Sequence, residues 1–290
     1  MKLRFSKCKA ILSAMLLFLG LTGYSQQSKK IYESESGVTI DDAVFQHIDQ
    51  QAFKLMEQRH PERFATLATQ LDNDHVDLKL LSSLRKKIKL SEVYQKNISG
   101  VLVVATIYKC DDCPNNHIRA STGFIIAENG IAVTNYHIFK GDATNENSDL
   151  AVVVMDYDGK VYAVKEILAA SLNDDLAIFK FDAIGEKTKI LPLGQDVIPG
   201  QDVSIISHPH SMFYSLTSGV TTRSYIRNGT KKTSITADFS QGSSGAPVFD
   251  DKANVIGIVS ATRSLYNTDK NIQMVSREII PVSRLKALIN

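Results

Sequence analysis

Short runs of β-branched and aromatic residues, separated by turn residues, occupy the last two-thirds of the chain. The first run is Val101–Tyr108, and Gly, Asn and Asp lie between the later ones. Many short strands joined by such turns are typical of antiparallel barrels or sandwiches. We predict strands at 101–108, 122–127, 131–134, 151–155, 161–168, 176–181, 202–207, 215–223, 233–236, 246–249 and 254–261.

The segment 26–91 has a different pattern, in which apolar residues recur at helical spacing. Its first residues, 26–36, are polar, and three helical stretches are predicted after them. His60-Pro61 ends the first helix, because proline is tolerated only in the first turn of the next one. The apolar positions of the three stretches are Val44, Ile48, Ala52 and Leu55, then Phe64, Leu67, Ala68 and Leu71, then Leu78, Leu81, Leu84, Ile88 and Val93. We interpret 26–91 as a helical prosegment, a regulatory cap or an extension packed on the β region, and we predict a C-terminal helix at 282–289.

Residues 1–25 have the pattern of an export signal. A basic head precedes the apolar run 10–21, and small residues come before a cleavage site near Ser25. About a dozen apolar residues are too few for a membrane helix, which needs roughly 20, so no stable membrane anchor is expected. A retained anchor is the alternative. The signal pattern predicts a periplasmic or secreted protein.

Composition and charge exclude several classes of protein. The chain is 43% apolar and 22% charged, which is typical of a globular protein and not of a disordered one. It carries 33 basic and 31 acidic side chains, and four of the basic ones lie in the signal, so the remainder has 29 positive and 31 negative groups, a net charge of −2. A nucleic-acid partner is therefore not expected.

Two cysteines remain once the signal, with Cys8, is removed. Cys110 and Cys113 are spaced C-x-x-C in a chain predicted to be exported, so we expect a local disulfide. Zinc would need two further ligands, and although His117 is near, no fourth ligand is evident. A thioredoxin-like redox site is a further alternative. We expect no metal and no cofactor.

Three local motifs carry candidate catalytic residues, in the order His, Asp, Ser. A predicted strand hairpin ends at His137, and an acidic pair, Asp174 and Asp175, precedes a buried strand. The third motif is a loop of small residues that contains Ser244. A serine hydroxyl is a poor nucleophile, so it needs a base within hydrogen-bond reach and a group that orients the base.

The loop around Ser244 also supplies candidates for an oxyanion hole. Gly242 permits a backbone geometry that turns its N–H towards a substrate, and the N–H of Ser244 would join it. Two such donors stabilise the negative charge that develops on the carbonyl oxygen during acyl transfer.

With these motifs, the sequence from Glu92 to Asn290 resembles a trypsin-like serine protease, most similar in style to the protease domain of the bacterial Deg/HtrA group. The matching residues are Thr122-Gly123-Phe124, Thr134-Asn135-Tyr136-His137, Asp175-Leu176-Ala177, Leu191-Pro192-Leu193-Gly194, Gly200-Gln201-Asp202-Val203, Leu216-Thr217-Ser218-Gly219-Val220 and Gly242-Ser243-Ser244-Gly245-Ala246-Pro247. Ser243 and Ala246 depart from the Gly-Asn-Ser-Gly-Gly-Pro signature of the family.

The resemblance implies a mainly β fold of two six-stranded antiparallel β-barrels with the active site between them. His137 and Asp175 would come from the first barrel and Ser244 from the second. The family pattern places the acid directly before Leu-Ala, which selects Asp175 over Asp174. By role, Ser244 attacks, His137 transfers the proton and Asp175 holds the imidazole tautomer.

The resemblance also suggests a substrate pocket. Asp238 lies six residues before Ser244, where trypsin-like proteases have the base of the pocket for the residue preceding the scissile bond. The walls would be Val259, Ser260 and Ala261, and a carboxylate at the base would favour Lys or Arg. A surface role for Asp238 is the alternative, because Deg/HtrA proteases commonly have a small apolar residue there.

These observations predict an exported serine endopeptidase that acts on proteins or peptides. The alternative is a catalytically weak or inactive binding module with the trypsin fold. His208 and His210 lie in a family turn, so a structural role is favoured over a metal pair. After the last predicted strands, 276–290 is too short for the PDZ domain of Deg/HtrA proteases, and the oligomeric state is not predicted.

Overall fold

Twelve strands and five α-helices contain more than half of the residues that the computed structural model describes, which are 38–110, 113–141, 149–183 and 185–290. The predicted signal and the start of the following segment lie outside the described residues. The helices are α1 Asp41–Arg59, α2 Phe64–Thr69, α3 Leu90–Asn97, α4 His137–Lys140 and α5 Val282–Lys286. The strands are β1 Val101–Lys109, β2 Asn116–Ala127, β3 Ile131–Thr134, β4 Asp149–Met155, β5 Val161–Ser171, β6 Leu176–Phe181, β7 Asp202–Ser207, β8 Ser215–Arg227, β9 Thr230–Ile235, β10 Pro247–Phe249, β11 Val255–Thr268 and β12 Asn271–Pro281.

The strands form two closed antiparallel barrels of six strands each, which confirms the predicted fold class. The first barrel has the order β1-β2-β3-β6-β5-β4, and the second has the order β10-β11-β12-β9-β8-β7. Closure pairs every strand on both sides, so neither barrel leaves an open sheet edge.

Side chains of successive residues point to opposite faces of each strand, and this alternation divides the core. In β1, Leu102 and Val104 pack with residues from all six strands inside the first barrel. Their neighbours Val103 and Ala105 face outwards and are equally buried, because α1 covers them. A third cluster joins the outer faces of the two barrels, and both faces of β1 are therefore apolar.

The N-terminal helices pack on the first barrel. Helix α1 buries Val44, Ile48, Ala52 and Leu55, the positions that the sequence predicted. Helix α2 adds Phe64 and Leu67 to the cluster inside the first barrel. None of the helices in the described ranges is both long and apolar enough to cross a bilayer.

The third predicted helix is wrong over most of its length. Residues 74–89 form no helix, and only Leu90–Asn97 is helical. Backbone bonds to distant residues hold this segment: Val76 bridges to Ile289, and Ile88 N–H donates to Asp251 O at 2.9 Å. Tertiary contacts therefore override the helical spacing of its leucines.

The strand β12 was not predicted. It pairs with β11 and β9 and is needed to close the second barrel. Its first four residues are exposed and its sequence mixes polar and apolar residues, so it lacks the β-branched run that identified the other strands. Of the remaining strands, β3, β6 and β7 have the predicted bounds, and α5 ends three residues before the predicted C-terminal helix does.

Candidate active site

Paired strands of the first barrel bring His137 and Asp175 together. Two residues separate the end of β3 from His137, which begins α4, and Asp175 directly precedes β6. Because β3 and β6 are antiparallel neighbours with Thr134 opposite Ala177, the end of one strand lies beside the start of the other.

The contact between these two residues is a hydrogen bond between the imidazole ring and the carboxylate. His137 Nδ1 lies 3.0 Å from both carboxylate oxygens of Asp175. The backbone N–H of His137 also donates to Asp175 Oδ1 at 3.1 Å, and the Asn135 amide donates to the Asp175 carbonyl at 2.9 Å. The carboxylate therefore favours the tautomer with the proton on Nδ1, which leaves Nε2 as an acceptor.

The neighbouring acid Asp174 has a different partner. Its buried carboxylate accepts two hydrogen bonds from the guanidinium of Arg284 in α5, at 2.9 and 2.8 Å. This bond raises the pKa of Arg284. Asp174 thus holds the C-terminal helix, and Asp175 is the acid that faces His137.

Two glycines in the loop that carries Ser244 have positive φ angles. Gly242 and Gly245 have φ of +93° and +83°, values that L side chains rarely adopt. The N–H of Ser243 donates to Ser240 O at 2.9 Å, whereas those of Gly242 and Ser244 have no protein acceptor among the described residues. The two predicted oxyanion donors are therefore available for a ligand.

Thr122 in β2 holds this loop from the first barrel. Its N–H donates to Ser244 O at 3.0 Å, and its hydroxyl donates to Gly242 O at 2.8 Å. The same hydroxyl accepts the N–H of His208 at 3.3 Å. Gly242 and Ser244, the two candidate oxyanion donors, are thus both held by hydrogen bonds to their carbonyl oxygens.

His208 is a buried structural residue. Its Nε2 donates to Leu102 O at 3.2 Å, and its Nδ1 accepts the N–H of Tyr214 at 3.0 Å. Complete burial lowers the pKa of His208 from 6.5 to about 3, so its ring is neutral. Both ring nitrogens are occupied, which agrees with the structural role predicted for this residue.

His137, Gly242 and Ser244 line one cleft of about 370 Å³. Strand β2 forms another wall of this cleft with Arg119, Ala120 and Ser121. Ser244 Oγ makes no hydrogen bond to His137 within the described part of the chain. Catalytic hydrogen bonds are often long without substrate and shorten when it binds.

A family model described as a trypsin-like peptidase domain matches residues 121–258, which contain these catalytic candidates. This part of the chain is therefore similar to a trypsin-like peptidase domain. Protease Do-like 1 from the chloroplast of Arabidopsis thaliana is 27% identical over 205 residues, 63% of this chain and 44% of the relative. A DegP-like periplasmic serine endoprotease of Halomonas elongata is 32% identical over 146 residues, 48% of this chain and 28% of the relative. This chain therefore spans less than half the length of these two curated relatives.

Solved structures share the fold. The crystal structure of Deg5 has a TM-score of 0.53 at 22% identity and covers 67% of this chain and 89% of its own. An HtrA-type protease with a decapeptide has a TM-score of 0.54 at 16% identity and covers 68% of this chain and 64% of its own. The resemblance to Deg/HtrA proteases that the sequence motifs suggested is confirmed.

The structure places Asp238 differently from the pocket base that the resemblance suggested. Asp238 is not a buried base: its side chain is 74% exposed and forms an ion pair with Arg277 of β12. Arg277 offsets the charge that was expected to attract Lys or Arg. This partner belongs to the strand that the sequence pattern did not reveal.

The three expected pocket walls do not line the catalytic cleft. Val259 is buried: its carbonyl accepts the N–H of Gly245 and its N–H donates to Ala246 O, in the two residues that follow Ser244. Ser260 directs its hydroxyl to Asp175 Oδ2 at 3.5 Å, and Ala261 is exposed. Val259 therefore holds the nucleophile loop, and Ser260 contacts the carboxylate of Asp175.

The cysteines also differ from the expectation. Cys110 and Cys113, both within the described ranges, are thiols and form no disulfide with each other. The Cys113 sulfur contacts the imidazole of His117, with Sγ and Nε2 3.1 Å apart.

Two supporting residues carry little signal in the sequence. Thr122 was recognised only as part of a family motif, although its position before a glycine on a strand next to the catalytic histidine was visible. Arg277 had no signal, because its importance depends on a contact with a residue 39 positions earlier.

Proposed function

We propose that this protein is an exported serine endopeptidase with Ser244, His137 and Asp175 as its catalytic triad. The observation that carries the proposal is the hydrogen bond between His137 Nδ1 and Asp175 at the edge of the cleft that Ser244 also lines. The matches to a trypsin-like family model and to a periplasmic relative support the activity and the export.

In the proposed reaction, His137 Nε2 accepts the hydroxyl proton of Ser244 as Oγ attacks the scissile carbonyl. The N–H groups of Gly242 and Ser244 stabilise the oxyanion, and loss of one such donor typically costs about 3 kcal/mol of transition-state stabilisation. The proton then passes from Nε2 to the leaving amine, and water hydrolyses the acyl-enzyme by the reverse sequence.

The N-terminal segment serves in this proposal as an extension packed on the barrels. No residue of 38–97 lines the cleft, whereas α1 and α2 bury their apolar faces on the first barrel. This arrangement favours the packed extension over a cap that blocks the active site.

Labelling with a fluorophosphonate probe tests the proposed nucleophile. We expect one covalent adduct on Ser244, no adduct in Ser244→Ala, and undiminished labelling in Ser224→Ala, which removes an exposed hydroxyl far along β8. His137→Ala should label very slowly because the serine then lacks its base. Asp175→Asn should lower kcat about 10⁴-fold because the wrong imidazole tautomer is held.

A folded wild-type protein that is not labelled would contradict the endopeptidase proposal. That result would favour a binding module with the trypsin fold, as would binding of peptides without cleavage. Circular dichroism of each variant establishes that loss of labelling is not loss of the fold.

A further inference from the structure

Cys110, Cys113 and His117, whose side chains are of types that bind soft metal ions, lie together at the tip of the β1–β2 hairpin. Tyr108 and His117 are directly opposite each other across the two strands, and Cys110 and Cys113 lie in the loop that joins them. The N–H of Cys110 donates to Asn115 O at 3.3 Å, which closes the loop. The ring centroids of His117 and Tyr108 are 5.8 Å apart, so the imidazole lies against Tyr108 at the end of the hairpin.

The distances among the three ligand atoms suit a single metal ion. The two sulfurs and a ring nitrogen of His117 lie within 4.8 Å of one another, and Cys113 Sγ is 3.1 Å from His117 Nε2. Zn–S bonds of about 2.3 Å and Zn–N bonds of about 2.0 Å in a tetrahedron separate neighbouring ligand atoms by roughly 3.5–3.8 Å. The observed range includes that separation, so small side-chain rotations bring all three atoms to bonding distance.

We propose that Cys110, Cys113 and His117 bind a zinc ion at the tip of the β1–β2 hairpin. Two thiolates and an imidazole are a ligand set that Zn²⁺ prefers over the oxygen ligands of Mg²⁺ or Ca²⁺, and two thiolates neutralise its charge. The C-x-x-C spacing, with the histidine four residues later, places all three ligands within one hairpin.

The surroundings of the hairpin tip are suited to a cation. A groove of about 500 Å³ extends from His117 to α1, and both Asp49 and Glu57 of that helix line it. A water molecule or one of these carboxylates completes the fourth position of the tetrahedron.

The proposed site has a structural purpose. Strand β2 continues from His117 to Arg119, Ala120 and Ser121, which line the catalytic cleft. An ion that ties the hairpin together limits fraying of this strand at its exposed end. The site is distinct from the triad, and its test does not depend on peptidase activity.

Zinc content and thiol state test the proposal directly. The exported full chain, purified without reductant or chelator, is measured for zinc by elemental mass spectrometry and for disulfides by its intact mass under denaturing conditions. We expect about one zinc per chain and two reduced thiols that react with a thiol reagent only after a chelator is added. The apoprotein titrated with Co²⁺ should develop the thiolate charge-transfer bands and intense visible bands of a tetrahedral site.

Single-residue variants distinguish this site from adventitious binding. Cys113→Ser and His117→Ala should each weaken zinc binding more than about 100-fold, since loss of an outer-sphere partner alone costs about 10- to 100-fold. His75→Ala, which removes an exposed imidazole on the N-terminal segment, should bind zinc as the wild type does. A disulfide between the two cysteines in the exported protein, wild-type chains without zinc, or zinc binding unchanged in Cys113→Ser would each overturn the proposal.

Discussion

The buried histidine His208 makes the stability of the fold depend on pH in a predictable direction. Its pKa falls from 6.5 to about 3 on folding, because burial disfavours the charged ring. Above pH 6.5 the ring is neutral in both states and contributes no pH dependence. As the pH falls below 6.5, the unfolded chain binds a proton that the folded chain does not, so the free energy of unfolding decreases until the pH reaches the folded pKa.

The size of this effect follows from the two pKa values. The free energy of unfolding should fall by about 1.4 kcal/mol for each pH unit between the unfolded and folded pKa, so the loss from this one ring is about 2 kcal/mol at about pH 5. A domain of ordinary stability has about 5–15 kcal/mol, so this loss is a considerable fraction of it.

The substitution His208→Gln isolates the contribution of this ring. An amide retains a donor for the Leu102 carbonyl but does not titrate. Guanidinium unfolding curves for the wild type and the variant should show a less stable variant near neutral pH, because packing and one hydrogen bond are lost. The difference between the two proteins should then narrow by about 2 kcal/mol at about pH 5.

The control is His75→Gln, which replaces an exposed histidine. Its pH dependence should match that of the wild type. If the difference in unfolding free energy between wild type and His208→Gln is the same at both pH values, His208 does not stay neutral in the fold and the reasoning is refuted.

Two further substitutions test the support of the nucleophile loop and the substrate pocket. Thr122→Val removes the hydroxyl that donates to Gly242 O and should lower kcat/KM about tenfold, the equivalent of one hydrogen bond of about 1.4 kcal/mol. Thr221→Val in the second barrel removes a buried hydroxyl that has no hydrogen-bond partner among the described residues, and it should leave kcat/KM unchanged; equal losses in both variants would argue against a positioning role for Thr122. Arg277→Gln leaves the Asp238 carboxylate without its cation. The ratio of kcat/KM for Arg over Leu peptide substrates should then rise about fivefold, the equivalent of about 1 kcal/mol. An unchanged ratio in these assays would show that Asp238 does not contact the substrate.

Local sequence signals identified eleven of the twelve strands in the described part of the chain, whereas the two-barrel arrangement came from the resemblance to trypsin-like proteases. Strands such as Leu176–Phe181 are buried on both faces, so their composition alone identified them. The choice between Asp174 and Asp175 could not be made from local chemistry, because both are carboxylates before the same strand. What separates them is Arg284, which lies 110 residues later and binds only Asp174.

The errors share a physical cause, which is dependence on distant partners. Leu81 and Leu84 have helical spacing, yet they lie in a segment without helix. The Asn254 side chain holds this segment by hydrogen bonds to the backbone of Leu84 at 2.6 and 3.0 Å. For Asp238, both a pocket base and a surface role stayed open, because its position along the chain says nothing about Arg277. Spacing predicts local geometry, whereas these contacts depend on how remote elements pack.

The two bonds that Thr122 donates to the nucleophile loop make the catalytic centre a shared property of the two barrels. The second barrel has all six of its strands without the first, but Gly242 and Ser244 would lose the donors that orient their carbonyls. In a protease that combines barrels from two different parents, the nucleophile loop of the second barrel would therefore be held correctly only if the first barrel supplies a strand whose Thr122 fits that loop. Such chimaeras should separate folding from catalysis, since each half can be intact while their junction is not.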